Sequence, residues 1–300
     1  MNKWLIQVVS RNDEVIKNEI QALNSLNYKW HDFGVIQMLS LFSNIENILE
    51  DTNDTYIIRG GTKVLQMLDG ITSLEQLSEN CSKEQIELSA LYLEKLRAGL
   101  FYDVNKFDQK IYGKLDLPLI NSDVQYYPLN NENNLKLSFN EMKFVKPSRD
   151  LKAFNAGILE PGQTVLDFIH GQMYQPMYVQ EELLVSSPKN IWDEYRFFVL
   201  GDQVITGSQY RTNKQLKYHE LNNSVEHQKV LSIAQEYAKL YKPADVFTMD
   251  IGKYNNDQYG IVEYNCFNAS GLYYSDVKKL FSTLEDYVTN LKPKNKNKLK

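Results

Sequence analysis

Three oxygen-bearing side chains, Asp250, Glu263 and Asn265, lie in the stretch DVFTMDIGKYNNDQYGIVEYN, residues 245–265. Apolar and polar residues roughly alternate on both sides of Asn255-Asn256-Asp257, the pattern of a β-hairpin. With Asn256-Asp257 as a two-residue turn, opposed positions sum to 513 and Asp250 faces Glu263 directly. Side chains so opposed share a sheet face with Cβ atoms about 5 Å apart, so two carboxylates there repel. Asn265, two residues beyond Glu263, points to the same face. A neutralising group is therefore expected. Without one, replacing Glu263 by Gln is expected to leave the fold intact or stabilise it slightly, by about 0.2–1 kcal/mol.

Cations recur at comparable spacing. In EYRFFVLGDQVITGSQYR, Gly201-Asp202 is a strong two-residue hairpin turn. Opposed positions then sum to 403, which puts Glu194, Arg196 and Arg211 on one face, with Phe198 and Ile205 deeper along it. Two arginines and a carboxylate there suit a polyphosphate and its ribose, or equally form a surface ion-pair ladder. MKFVKP places Met142, Phe144 and Lys146 on one strand face, and Lys146 there is either a phosphate contact or a snorkelling surface residue. A long polar stretch follows, PSRDLKAFNAGILEPGQ, with Lys152 and two glycines. A loop of this kind can fold over phosphates, and its length and polarity predict mobility without ligand. It has neither the Walker spacing nor the G-x-G-x-x-G fingerprint. MYVQEELLV reads as a strand that can offer backbone groups and an apolar slot to an adenine ring. Near the N-terminus, YIIRGG ends a strand at Arg59-Gly60-Gly61, where free N–H groups and a guanidinium suit a substrate carboxylate, or simply start a helix. The four histidines show no metal-ligand spacing.

The elements that position these residues fall into two styles. WLIQVVS, FGVIQML and TYIIRGG read as strands, RNDEVIKNEIQALNSLN and TKVLQML as helices, and SLEQLSENCSKEQIELSALYLEKLRAGL as short helices at the edge. This rhythm predicts an N-terminal α/β domain over 1–100. Residues 101–140, rich in Asp, Asn, Tyr and Pro, read as a helix-and-turn connecting segment. From 141 to 290 the pattern is mostly β, with LKLSFN just before it also read as a strand. SVEHQKVLSIAQEYAKLY and SDVKKLFSTLEDYVTNL are its helices. Residues 291–300 read as a disordered basic tail.

Composition narrows the function classes. The 300 residues are 43% hydrophobic and 24% charged, as in a globular chain. No apolar run is long enough to span a membrane, and the N-terminus reads as a first strand rather than a signal peptide. Two cysteines supply neither a disulfide framework nor a metal pair, which suits a cytoplasmic setting. Net charge is −5, or −10 without the five tail lysines, which argues against a broad nucleic-acid footprint.

The order of the pieces is the specific signal: strand lysine, polar loop, VQEEL, a Glu-x-Arg hairpin, a helix, a strand Asp and a Glu-x-Asn strand. This order resembles the ATP-grasp superfamily over 141–285, with YIIRGG and LRAGLFYDVNKFD extending the resemblance. FVKPSRDLKAFNAGIL and EYRFFVLG…SQYR look most like the clade named for two arginines and one lysine, many of whose members are bacterial or phage-encoded. The resemblance implies an α/β (α+β) chain, with an N-terminal α/β domain before a two-part ATP-binding module of antiparallel sheets and helices. It implies ATP and Mg²⁺ as cofactors. Lys146 would meet the inner phosphates and Lys152 the outer ones. Gln180, Glu181, Glu182 and Leu183 would line the adenine and ribose slot, joined by Glu194 at the nucleotide. Arg196 and Arg211 would hold the terminal phosphate or acyl-phosphate oxygens, and Asp250, Glu263 and Asn265 would bind Mg²⁺. The N-terminal domain would border the acceptor site, which makes Arg59, Gly60 and Gly61 a substrate corner.

The implied reaction joins a carboxylate to an amine through an acyl phosphate, releasing ADP and phosphate. The substrates could be an amino acid, a peptide or a protein tail. Two other readings stay open. One is a phosphotransferase or nucleic-acid end-modifying enzyme on the same nucleotide site. A nucleotidyl-transfer nucleophile would need Lys-x-Asp-Gly, and GKLDLP has Leu117 in place of the glycine. The other is a non-catalytic ATP-binding module.

Overall fold

The computed structural model describes residues 2–8, 13–36, 41–43, 55–61, 99–103, 105–149, 153–171, 181–255 and 257–291. The expected helix TKVLQML, nearly all of the edge helices before residue 99, Lys152, Gln180 and the basic tail lie outside them. The chain forms two compact units, one of residues 1–102 with 267–300 and one of 103–266. The first therefore takes back the end of the chain, which the boundary at 290 had left with the second module. No described helix is long and apolar enough to cross a membrane.

In the first unit, β1 (Asn2–Gln7) pairs in parallel with β2 (Trp30–Ile36) and β4 (Thr55–Arg59). With β3 (Leu41–Ser43) the order is β3-β2-β1-β4. The helix Glu14–Ser25 makes the β1–β2 crossover that a parallel pair requires. Asp13 caps it, accepting from Val15 N. The last helix, Val277–Asn290, buries Leu280, Phe281, Leu284 and Val288 on one stripe. Trp4 on β1 lies 4.3 Å from Phe281 between ring centroids and donates its indole N–H to Glu285 at 3.0 Å.

The second unit holds two antiparallel sheets. One runs β5 (Gln125–Pro128), β8 (Glu182–Ser186), β6 (Lys143–Pro147), β7 (Gly157–Leu159) in the order β5-β8-β6-β7. Val145, Leu183 and Val185 pack with Leu129, Phe154 and Ile169 in the core beneath it. β5 lies within the expected connecting segment, which thus supplies a strand to this module. The expected strand LKLSFN does not form: Asn131 caps a short helix, Glu132–Leu135, that consumes its first residue.

The other sheet comprises β9 (Ile191–Leu200), β10 (Gln203–Thr212), β11 (Gln215–Glu220), β12 (Val246–Tyr254) and β13 (Gln258–Cys266), in the order β11-β10-β9-β12-β13. Both hairpins predicted from sequence are present, with irregular registers. Next to the β12–β13 turn, Tyr254 pairs with Gln258 and Ile251 with Ile261. Opposed positions there sum to 512, so the loop has three residues rather than two. A bulge then shifts the register, and Asp250 pairs with Glu263 after all. On β9–β10 two bulges carry the register from Gln203 opposite Leu200 to Arg211 opposite Glu194. Phe198 consequently faces Thr206, not Ile205.

Candidate functional site

Asp250 and Glu263 face each other from β12 and β13, and each is met by its own cation. The Arg196 guanidinium grips Asp250 with two bonds, Nε to Oδ1 at 2.8 Å and Nη2 to Oδ2 at 2.7 Å. Lys146 Nζ comes from the other sheet to Glu263 Oε2 at 2.6 Å. The Asn265 amide bridges the two acids, donating to Glu263 at 3.1 Å and to Asp250 at 3.3 Å. Protein cations thus neutralise the pair that the sequence left repelling. Burial pushes the Glu263 carboxyl up, but Lys146, Asn265 and Arg196 together outweigh it and hold it down to about 2. Asp250 shifts the other way. Its complete burial, with Glu263 nearby, raises it against the pull of Arg196.

The β9–β10 hairpin brings Glu194, Arg196 and Arg211 to one face, as the sequence spacing indicated. Arg211 Nε lies 2.6 Å from Glu194 Oε1. Sequence reasoning missed Tyr210, quoted only as part of SQYR. Its hydroxyl donates to Glu194 and approaches Asp250 at 3.5 Å, and its ring centroid lies 5.5 Å from the Arg196 guanidinium. Strand alternation would have turned Tyr210 away from Arg211. The bulge between Gln209 and Arg211 is what admits it, and no residue type announces that bulge.

On the second sheet, Lys146 shares a strand face with Phe144, while Val145 points into the core. Met142 precedes the strand and is exposed. Of the expected adenine-slot residues, Leu183 puts its side chain into the core, so only its backbone can serve a ligand. Glu181 is buried against the Arg149 guanidinium, and burial raises its carboxyl despite that partner. Glu182 pairs with Lys110, a partner from the connecting segment. A cavity of about 220 Å³ opens here, lined among others by Lys146, Arg149, Tyr112, Glu263 and Asn265. Two of the expected metal residues and the strand lysine therefore share one hollow with an arginine from the polar loop.

The N-terminal corner differs from expectation. Arg59 is 5% exposed and binds Glu19 through Nη2 at 2.7 Å and Nε at 3.3 Å. It also donates to the Phe267 and Ser270 carbonyls. The N–H groups expected to be free are taken as well: Gly60 donates to the Asn268 carbonyl at 2.8 Å and Gly61 to the Gln7 side chain at 2.6 Å. The corner closes the first unit upon itself, because buried donors take internal partners wherever these are in reach.

A family model matches residues 130–282: the ATP-grasp domain of the second family in the clade named for two arginines and one lysine. The chain belongs to this ATP-grasp family, and its fold is the mixed α+β ATP-grasp fold. A comparison with curated protein sequences gives no match. Among solved structures, it is similar to the ATP-grasp ligase PsnB complexed with minimal precursor, at TM-score 0.50 and 14% identity over 95% of this chain and 98% of that one. It is also similar to the D-cycloserine synthetase DcsG, at TM-score 0.53 and 10% identity over 96% and 100% of the two chains. A third is the D-alanine–D-alanine ligase of Bacillus anthracis, at TM-score 0.50 and 12% identity over 95% and 92%. A further structure of that enzyme holds ATP. At such identities the likeness is one of fold.

Proposed function

We propose that the chain is an ATP-dependent carboxylate–amine ligase that works through an acyl phosphate and releases ADP and phosphate. The observation that carries this reading is the convergence of Asp250, Glu263, Asn265 and Arg196 on one face of one sheet, met there by Lys146 from the other sheet. Glu194 and Arg211 adjoin them on that face. The folds it resembles include a ligase complexed with a minimal precursor and a ligase named for joining D-alanine to D-alanine.

The donor set fits Mg²⁺. Among the described residues no three His, Cys, Asp or Glu side chains group as a metal site. Two carboxylates and one side-chain amide do converge, and a hard cation that also takes phosphate oxygens needs no more from the protein. Asp250, Glu263 and Asn265 would hold it, with Asn265 turned to present its oxygen. The ion would neutralise charge on the phosphates. Lys146 would then leave Glu263 for the inner phosphates, Lys152 would approach the outer ones, and Arg196 and Arg211 would bind the transferred phosphoryl group. Gln180 to Leu183 would border adenine and ribose, with Glu194 nearby. The closed Arg59 corner has no part in this assignment.

Such a site supplies position and charge, which is most of what phosphoryl transfer requires. A substrate carboxylate oxygen attacks the terminal phosphorus of ATP, and the bond to the bridging oxygen breaks with its electrons left on ADP. The amine nitrogen then attacks the acyl carbon. Phosphate departs with the C–O bonding pair, and the nitrogen loses its proton.

The test is nucleotide product analysis after incubation with ATP, Mg²⁺ and mixed amino acids and peptides. ADP and phosphate in equal amounts, formed only with added substrate, are expected. AMP with pyrophosphate would overturn the ligase reading in favour of nucleotidyl transfer. ATP binding with no turnover on any pool would favour a binding module.

A further inference from the structure

Strand registers place a second, unlike surface on the same sheet face as the candidate site. Directly paired residues share a face. Glu263 pairs with Asp250, Asp250 with Arg196, Arg196 with Ser208, and Ser208 with Glu220 on β11. Likewise Glu194 pairs with Arg211 and Arg211 with Leu216. Leu216, Tyr218 and Glu220 therefore continue the face that carries the acids and arginines. Along it the character changes. Asp250 is 1% exposed and Arg196 8%, whereas Leu216 is 66% and Tyr218 43% exposed. Arg211 stands between, a cation 36% exposed.

We propose that this β10–β11 flank holds the carboxylate-bearing substrate, and that this substrate is an extended peptide segment with an apolar side chain near its reacting carboxylate. The proposal rests on the ligase reading above. Span decides between a peptide and a single amino acid. From Asp250 on β12 to Leu216 and Tyr218 on β11 there are three strand spacings, about 14 Å in all. An extended chain covers that distance with about four residues, and a free amino acid cannot. Charge decides between a peptide and a second copy of this chain. Edge-to-edge pairing of β11 about Lys217 would oppose two lysines, an arrangement that discourages self-association. A peptide whose reacting carboxylate lies at the phosphoryl site beside Asp250 runs past the Arg211 cation and covers Leu216 and Tyr218.

The experiment uses an array of random dodecapeptides probed with the labelled full chain, Mg²⁺ and a non-hydrolysable ATP analogue. The tightest peptide is then measured in solution by fluorescence anisotropy against wild type and the double variant Leu216→Asp, Tyr218→Asp. Bound peptides are expected to combine a carboxylate with an aliphatic or aromatic residue a few positions away. The double variant should bind the selected peptide about tenfold more weakly or worse. Its MgATP affinity by calorimetry and its thermal melt should match wild type. Equal peptide binding by both proteins would overturn the proposal. So would an array with no binder, or ADP release driven by free amino acids to the same extent in both. A wild-type dimer that the double variant converts to monomer would show the flank to be a self-interface, again overturning it. Failure of wild type to bind MgATP would sink the ligase reading itself, a result separate from all of these.

Discussion

Glu263 keeps its charge opposite Asp250 because Lys146 reaches it from another sheet. The opposition was reached from the sequence because two departures cancel: the loop is one residue longer than the expected turn, and a bulge between Asp250 and Ile251 restores the register. The partner was not, because Lys146 lies 117 positions earlier and no periodicity links the two. That contact reverses the stability expectation for Glu263→Gln. With repulsion already neutralised, the substitution removes a charged hydrogen bond and leaves a largely buried lysine without its counter-ion. A loss of roughly 1–3 kcal/mol is expected in urea unfolding at neutral pH. The pH dependence has a definite sign. The folded carboxyl is held at about 2 against an ordinary 4.5. Its contribution is therefore complete above the ordinary value and fades as pH falls toward the folded one. The gap between wild type and variant should narrow over that acid window. A gap that stays constant, or a variant more stable than wild type at pH 7, would show that the ion pair contributes nothing. Arg196→Lys is a second test at this scale. A single ammonium cannot span both Asp250 oxygens as the guanidinium does. ADP release should fall about a hundredfold or more with the fold retained. Near-normal turnover would remove Arg196 from the phosphoryl site.

Bulges do at the scale of the element what residue types do at the scale of the site. Without the shift between Gln209 and Arg211, strand alternation would leave Ser208 and Tyr210, not Arg211, on the face of Arg196. Sequence reading found both hairpins and the Gly201-Asp202 turn, but took the three-residue loop between β12 and β13 for a two-residue one. Bulges escaped it because one extra residue alters register without altering composition. β5 and β11 escaped for a related reason. QYYP and QLKYHE are short and half-polar, with no apolar face to mark them as strands. The opposite error, a strand over LKLSFN, arose where an Asn cap outweighed alternation. A prediction follows for Gly207, which pairs with Phe197 beside the site. A Cβ there would come within 2.6 Å of the Phe197 ring and 2.7 Å of the Arg196 carbonyl. Gly207→Ala should cost about 1–3 kcal/mol by overpacking, read from urea unfolding. Unchanged stability would mean that β9 and β10 can part without penalty.

At the scale of the molecule, the chain leaves its first unit near residue 102, builds the second, and returns at 267. The amphipathic stripe of the last helix was plain in the sequence, but a stripe says that a helix packs, not on what. The sequence-based boundary therefore kept this helix with the strands preceding it. In the structure its Phe281 meets Trp4 on the first strand, and Phe281 is wholly buried. Phe281→Ala should then remove roughly 3–5 kcal/mol, the usual cost of emptying a large aromatic site in a core. The loss should be local, because protection from hydrogen exchange follows the cooperative unit in which a contact lies. Amides of β1, β4 and the helix Glu14–Ser25 should exchange faster in the variant. Those of β9, β10 and β12 should keep wild-type protection, and so should ATP binding by the second unit. Peptide-resolved hydrogen–deuterium exchange on both proteins makes the comparison. If the β9–β12 ladder loosens as much as β1, the two units unfold together and the division at 102 and 267 has no energetic meaning. If neither loosens, the last helix contributes no stability to the unit it covers.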